Sequence, residues 1–307
     1  MKTDVISCAS MTRAWQEAMF ARAAHWEAAA QSAPVDQPLR GRVLATVFYE
    51  ASSRTSSSFQ AAMLRLGGTV VPVHSEWSSV TKGESLEDTM RTMASYADAI
   101  VLRHPETGSA KRAADAVPNC PVINAGDGIG EHPTQALLDV YTIWKERPGH
   151  DIDGLTVTIA GDLLHGRTVH SLIKLLNTYS IGRINLISPE SLRLPDTVVK
   201  EIRAPVHVGT QLDDVLPATD VLYMTRIQKE RFAKIEDFET VRNSFCLTRK
   251  VMSAAKPTCI IMHPLPRNAE IHPELDSDPR SAYFRQMRNG MFVRMAILEH
   301  VVPRFPA

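Results

Sequence analysis

The segment FYEASSRTSSSF, from Phe48 to Phe59, packs six hydroxyl side chains into the seven positions Ser52 to Ser58, with one cation, Arg54, among them. Before it lies RVLATVFYE, a β-branched and aromatic run that reads as a buried strand. After it, Phe59, Ala62, Met63 and Leu66 recur at helical spacing, and Gly67-Gly68 supplies a stop. The hydroxyl run therefore stands where a strand ends and a helix begins. A helix N-terminus offers unpaired N–H groups and a partial positive charge. Hydroxyl donors and a planar guanidinium at that place suit a phosphate-like anion. Taken alone, the run equally fits a plain cap at Ser52 or Ser53 with Arg54 in solvent.

The device recurs after other strand-like runs. Arg103-His104 follows one. GDGIGEHPTQ puts His132 at a cap position, Pro133 at the first helical position and Gln135 two residues further on. DLLHGRT places Arg167 at another helix start. Thr225, Arg226 and Gln228 follow DVLYM, and Pro264, Leu265, Pro266 and Arg267 follow CIIMH. Each arginine by itself is an ordinary surface ion-pair residue, and His132 by itself an ordinary cap or core donor. Together they suit small ligands carrying several negative charges. Other chemistries lack their motifs. The chain has no GxxxxGK[ST] phosphate loop, no GxGxxG dinucleotide turn, no GxSxG elbow and no HExxH metal pair.

Strand-like and helical patterns alternate, which predicts an α/β chain with mainly parallel sheets flanked by helices. The first half reads as helix 10–30, strand 43–49, helix 54–66, strand 69–73, helix 84–96, strand 98–102, helix 108–116, strand 121–123 and helix 133–146. ERPGHDIDG, Glu146 to Gly154, reads as a boundary. The second half reads as strand LTVTIAG, helix 167–177, strand 183–188, helix 195–201, strand 205–208, then strands DVLYM and CIIMH. A last helical pattern spans Ser281 to Val302 and is expected to pack back on the first domain. The expected domains are 1–146 together with a C-terminal helix of about 286–307, and 147–285. In open α/β sheets ligands bind beyond the carboxyl ends of strands, where these polar groups fall.

At 307 residues and 44% hydrophobic composition the chain can bury two cores. Lysine plus arginine equals aspartate plus glutamate, 34 each, which argues against a nucleic-acid or membrane-surface binder. Any positive site must then be local. No apolar run approaches the roughly 18 residues of a membrane span, and MKTDVISCASMTRAW lacks the apolar centre of a signal peptide. Cys8, Cys120, Cys246 and Cys259 are scattered, with no CxxC pair, and read as packing residues of a cytoplasmic protein.

Seven blocks now carry a likeness: SSRTSSSFQAAMLRLGG, KGESLEDT, VLRHPETG, INAGDGIGEHPTQALLD, GDLLHGRTVHSL, DVLYMTRIQKERF and MHPLPR. In that order they resemble the aspartate carbamoyltransferases, nearest to that domain of the animal multienzyme pyrimidine protein. The resemblance spans about 48–302. It implies transfer of the carbamoyl group of carbamoyl phosphate to L-aspartate in pyrimidine biosynthesis, by a homotrimer without metal or cofactor. It implies that Ser52, Arg54 and Thr55 hold the phosphate, that Thr55, Arg103 and His132 face the carbonyl oxygen, and that Gln135 holds the amide. Arg167 and Arg226 take the aspartate carboxylates, with Gln228 close by, and the Leu265-Pro266 backbone supplies carbonyls near the amino groups. Ser78 and Lys82 lie on a loop that enters a neighbouring subunit's site. Glu50 resembles a residue that pairs with arginines such as Arg167 and Arg231. The departures are mild: Ser53 stands where the family's usual motif has threonine, Ser56 where bacterial members commonly carry arginine, and Thr81 where some bacterial members carry a second lysine.

The ornithine carbamoyltransferases share the first half's logic. Their acceptor carries a side-chain ammonium, for which the cationic segment MTRIQKER is a poor neighbour, and their late motif is HCLP where this chain has HPLPR. A dicarboxylate acceptor is therefore expected. A non-catalytic paralogue is expected to have lost Arg54, Lys82 or His132, and all three are present.

Overall fold

The apolar run before the hydroxyls forms strand β1 (Val43–Phe48), buried along almost its whole length because neighbours pair on both edges and helices cover it. The computed structural model describes residues 2–31, 36–74, 79–229, 232, 234–242 and 244–303. The chain divides into two compact units, 1–138 with 288–307, and 139–287. Each is an α/β unit built on a parallel sheet.

In the first unit the chain runs α1 (Arg13–Ala29), β1, α2 (Ser53–Arg65), β2 (Thr69–His74), α3 (Leu86–Ala94), β3 (Ala99–His104), α4 (Ser109–Ala116), β4 (Val122–Asp127) and α5 (Pro133–Glu146), the last continuing into the second unit. The sheet order is β2-β1-β3-β4, all parallel. Phe59, Ala62, Met63 and Leu66 are all buried, as their spacing predicts. Gly67, at φ 85°, ends α2, and the Gly68 N–H donates to the Met63 carbonyl. β2 lies at the sheet edge and leaves Val71 exposed; Pro72 is tolerated there because an edge strand has one unpaired side.

The second unit continues with β5 (Thr156–Ala160), α6 (Arg167–Leu176), β6 (Arg183–Ile187), α7 (Asp196–Val199), β7 (Val206–Gly209), β8 (Val221–Met224), α8 (Ile235–Val241), α9 (Arg249–Met252), β9 (Ile260–Met262) and α10 (Tyr283–Val301). The sheet order is β7-β6-β5-β8-β9, again all parallel. Two short helices, α8 and α9, escape a sequence reading because IEDFETV and RKVM are too short and polar for a clear period. Three cysteines are buried, and burial pushes the Cys120 thiol up to about 11 and that of Cys259 to about 12. Cys246 is exposed.

The last helix, α10, does return to the first unit. Glu299, buried, accepts from the Trp26 indole N–H at 2.8 Å and from Nε and Nη2 along one edge of the Arg22 guanidinium, which lies 4.9 Å over the Trp26 ring. The hydrogen bond to Glu299 raises the Arg22 pKa. Earlier in α10, Arg294 covers the Phe59 ring at 5.0 Å. At Gly290 a Cβ would stand 2.8 Å from Leu138 Cδ2, so a larger residue there would require the Leu138 side chain on α5 to shift.

Because Glu299 accepts three hydrogen bonds from two side chains, Glu299→Ala is expected to destabilise the protein by about 2 kcal/mol, a value kept below that of a fully buried pair because Arg22 is partly exposed. Glu299→Gln, which keeps one acceptor, should cost about half as much. Urea unfolding midpoints measure both; a Glu299→Ala loss under about 0.5 kcal/mol, the range of inert surface changes, rules the clamp out as a stabilising element.

Candidate active site

In the first unit the strand order reverses between β1 and β3, which is where an open parallel sheet leaves a crevice beyond its carboxyl ends. Phe48 is registered with Arg103, and His104 with Asp127, so the segments after β1, β3 and β4 leave the sheet side by side. Ser52 stands at the N-cap position of α2, where its carbonyl accepts from the Ser56 N–H but its hydroxyl makes no cap bond. Arg54 is exposed and Thr55 buried in the first turn. Thr55 Oγ1 stands 3.5 Å from His132 Nε2 across 77 residues of sequence. Arg103 is mostly buried, pairs with Glu50 at 3.3 Å and donates from Nη1 to the Ala125 carbonyl at 3.4 Å. His132 and Gln135 are buried at the start of α5.

A pocket opens beside Ser52, which is one of its lining residues. Ser53, Ser56, Ser57 and Gln60 recur at helical spacing and line it with Tyr49, Glu50 and His74. Lys82 is exposed at the end of a short 3-10 turn, Ser79–Lys82. Ser78 and Arg231 lie outside the described residues.

The second unit repeats the geometry. Its order reverses between β5 and β8, and Ala160 is registered with Met224. Arg167 begins α6, and Arg226 and Gln228 follow β8, all half-buried. β9 lies beside β8 and leads to His263, then to Leu265, at φ 55°, and Pro266, joined by a cis peptide bond. Arg267 is not held in reserve for a ligand: it makes two bonds to Asp276, one to the Tyr283 hydroxyl, and stacks on Tyr283 and Phe284. That pairing holds the Asp276 carboxyl below the usual carboxylate range.

Two residues that organise these loops have no place in the sequence reading above. Asp127 Oδ1 accepts from the Glu131 N–H at 2.8 Å and from Asn124 Nδ2 at 3.2 Å, while Oδ2 accepts from the Gly108 N–H at 2.9 Å. One carboxylate thus ties the loop after Arg103 to the loop before His132. The fit is close: a Cβ on Gly128 would stand 2.6 Å from the Pro105 carbonyl oxygen. In the second unit Asp162, fully buried, accepts from the His165 N–H at 3.0 Å and the Gln228 N–H at 3.4 Å. It ties the loop before Arg167 to the segment that carries Arg226. A signal existed. Both aspartates stand in the tripeptide Ala-Gly-Asp at a strand end, Ala125-Gly126-Asp127 and Ala160-Gly161-Asp162. Both glycines have positive φ, 117° and 120°, where a side chain is strained. A Cβ on Gly161 would stand 2.2 Å from the Thr225 carbonyl oxygen.

Asp127→Asn puts an amide N–H against one of two backbone N–H groups. It is expected to cost about 1–3 kcal/mol and to speed hydrogen exchange at the Gly108 and Glu131 amides. Unchanged protection at both amides would remove Asp127 from this role.

Comparison with known proteins agrees with this geometry. Residues 3–145 match the family model for the aspartate/ornithine carbamoyltransferase carbamoyl-P binding domain, and residues 153–301 match that for the Asp/Orn binding domain. The multifunctional protein pyr1-3 of Dictyostelium discoideum is 55% identical over 85% of this chain, which spans only 12% of that protein's length. The aspartate carbamoyltransferase catalytic subunit of Thermococcus gammatolerans is 51% identical over 84% of each chain. Among solved structures, aspartate transcarbamoylase from Trypanosoma cruzi in complex with carbamoyl aspartate and phosphate superposes with a TM-score of 0.93 at 43% identity, covering 98% of this chain and 97% of that one. With both halves matched in order and the arginines at paired strand ends, this chain belongs to the aspartate/ornithine carbamoyltransferase family.

Proposed function

We propose that the chain transfers the carbamoyl group of carbamoyl phosphate to the amino group of L-aspartate, giving N-carbamoyl-L-aspartate and phosphate, in pyrimidine biosynthesis. The observation that carries this reading is the likeness over nearly the whole chain to the trypanosomal enzyme whose crystals hold carbamoyl aspartate and phosphate. Residues 1–146 with 286–307 take carbamoyl phosphate, and 147–285 take aspartate. In this reading the enzyme works in the cytoplasm, a reducing compartment that suits its free cysteines.

In this reading Ser52, Arg54 and Thr55 hold the phosphate at the start of α2. Thr55, Arg103 and His132 point donors at the carbonyl oxygen, and Gln135 holds the amide; the Thr55–His132 approach of 3.5 Å supports this grouping. Arg167 and Arg226 bind the two aspartate carboxylates with Gln228 beside them, and the Leu265 and Pro266 carbonyls accept from the amine. The amine nitrogen attacks the carbonyl carbon and a C–N bond forms. The C–O bond to phosphate breaks, and the departing phosphate takes the amine proton. Charge that builds on the carbonyl oxygen is met by donors already in place. Holding the two substrates in line supplies much of the remaining acceleration.

A parallel assay with aspartate and with ornithine tests the acceptor: turnover is expected with aspartate, and turnover with ornithine alone overturns the reading. Arg226→Ala should raise the KM for aspartate about 10- to 100-fold, the loss expected for one charged hydrogen-bonded contact, and leave the KM for carbamoyl phosphate nearly unchanged. Equal effects on both would take Arg226 out of the acceptor site.

The working form in this reading is a homotrimer in which Ser78 and Lys82 complete a neighbour's site. The exposed edge strand β2, which leads into the Lys82 segment, supports it. Arg54→Ala and Lys82→Ala homotrimers should each be nearly inactive. Mixed unfolded in equal amounts and refolded, about three quarters of trimers are hybrids with one intact site in three, so activity should return to roughly a quarter of the unmutated level. A mixture no more active than its components, while refolded wild type recovers, excludes sharing through Lys82.

A further inference from the structure

His263 is fully buried directly behind the Leu265-Pro266 turn. Its ring is bonded on both sides. The Leu265 N–H donates to Nδ1 at 2.8 Å, and Nε2 lies 2.8 Å from Glu270 Oε1. A backbone N–H can only donate, so Nδ1 must offer its lone pair, and the ring proton must sit on Nε2 and point at the carboxylate. A doubly protonated ring would set Nδ1–H against the Leu265 N–H. Glu270 is also fixed: both its oxygens lie 3.1 Å from the Asn268 N–H. Burial, only partly offset by Glu270, lowers the His263 pKa. Burial pushes the Glu270 pKa up, but the hydrogen bond from His263 and its further contacts leave it below the usual value.

The backbone behind the ring is anchored in turn. The His263 N–H donates to Gln286 Oε1 at 3.0 Å, Gln286 Nε2 donates to Asp139 Oδ1 at 2.6 Å, and the Tyr223 hydroxyl donates to Asp139 Oδ2 at 2.8 Å. All four side chains are fully buried within the second unit. One network therefore joins the exit of β9, α10, α5 and β8, the strand that leads to Arg226. Leu265 has a left-handed φ of 55°, unfavourable for a branched residue and kept only where its surroundings fix it. The bond from its N–H to His263 supplies that restraint.

We infer that His263 is a positioning residue, which through its Nδ1 lone pair sets the Leu265-Pro266 turn to receive the amino group of aspartate. This rests on the reading that the turn faces aspartate. A core histidine with no such role would affect stability alone.

Three measurements separate these. Long-range ¹H–¹⁵N correlation on the wild-type protein should show a bare Nδ1 and a protonated Nε2 at neutral pH; the other tautomer or a doubly protonated ring overturns the inference. His263→Gln keeps an N–H for Glu270 but gives up the acceptor for Leu265. Its Leu265 amide should exchange faster, and its KM for aspartate should rise about tenfold or more while the KM for carbamoyl phosphate stays within about twofold. His263→Asn keeps an acceptor near the Nδ1 position and should restore both amide protection and most of the aspartate KM. Unchanged exchange in His263→Gln overturns the restraint itself. Faster exchange with an unchanged aspartate KM shows instead that the turn does not face aspartate, and overturns the positioning role on that ground.

Discussion

Like charges resist being gathered, and a site for polyanionic substrates must gather cations before any ligand arrives to offset them. Two unit charges a few ångströms apart near a protein surface repel by several kcal/mol. The first unit meets this constraint with Glu50, which stands 3.3 Å from Arg103. The same glutamate lines the pocket beside Ser52 and Ser53, so the offset is made at the site and not at a distance.

A second requirement is that loops stay put although no strand or helix holds them. Parallel sheets bring loop starts together at one edge, but they do not fix where the loops go next. Asp127 and Asp162 do that work with carboxylate acceptors aimed at backbone N–H groups on two loops each. His263 does the same for a third loop with a ring nitrogen. These groups are buried, where a hydrogen bond to an ionised or oriented acceptor is strong because water does not compete. The cost is that each such bond is sensitive to a change of one atom.

Arginine position alone does not tell a ligand group from a structural one. Arg103, Arg167, Arg226 and Arg267 all follow strands or begin helices, and the sequence treats them alike. Arg267 turns out to be bound to Asp276 and stacked on two rings, a brace between the turn after β9 and the start of α10. Asp276 is nine residues further along and Tyr283 sixteen, separations at which no helical or strand period couples them. The hydroxyl run divides in a similar way: helical spacing sends Ser53, Ser56 and Ser57 to a pocket wall, and Thr55 inward to His132.

The sequence by itself determined the order and kind of nearly every regular element, because long helices repeat their apolar residues at the helical period, as Phe59, Ala62, Met63 and Leu66 do along α2, and buried strands are short β-branched and apolar runs, as Leu44 to Phe48 is in β1. It determined that α10 would return to the first unit, and, through seven ordered motifs, the family. What it left open were α8 and α9, whose four to seven residues carry no period, and every contact made between distant segments. Tertiary structure alone decided that Asp127 joins two loops, that His132 meets Thr55, that Arg267 is a brace and that the strand end at His263 is held by Gln286. The physical reason is the same in each case. A period is a property of neighbours along the chain, whereas a hydrogen bond between loops depends on where two strand ends emerge from a sheet, and that place is set only when the whole sheet has formed.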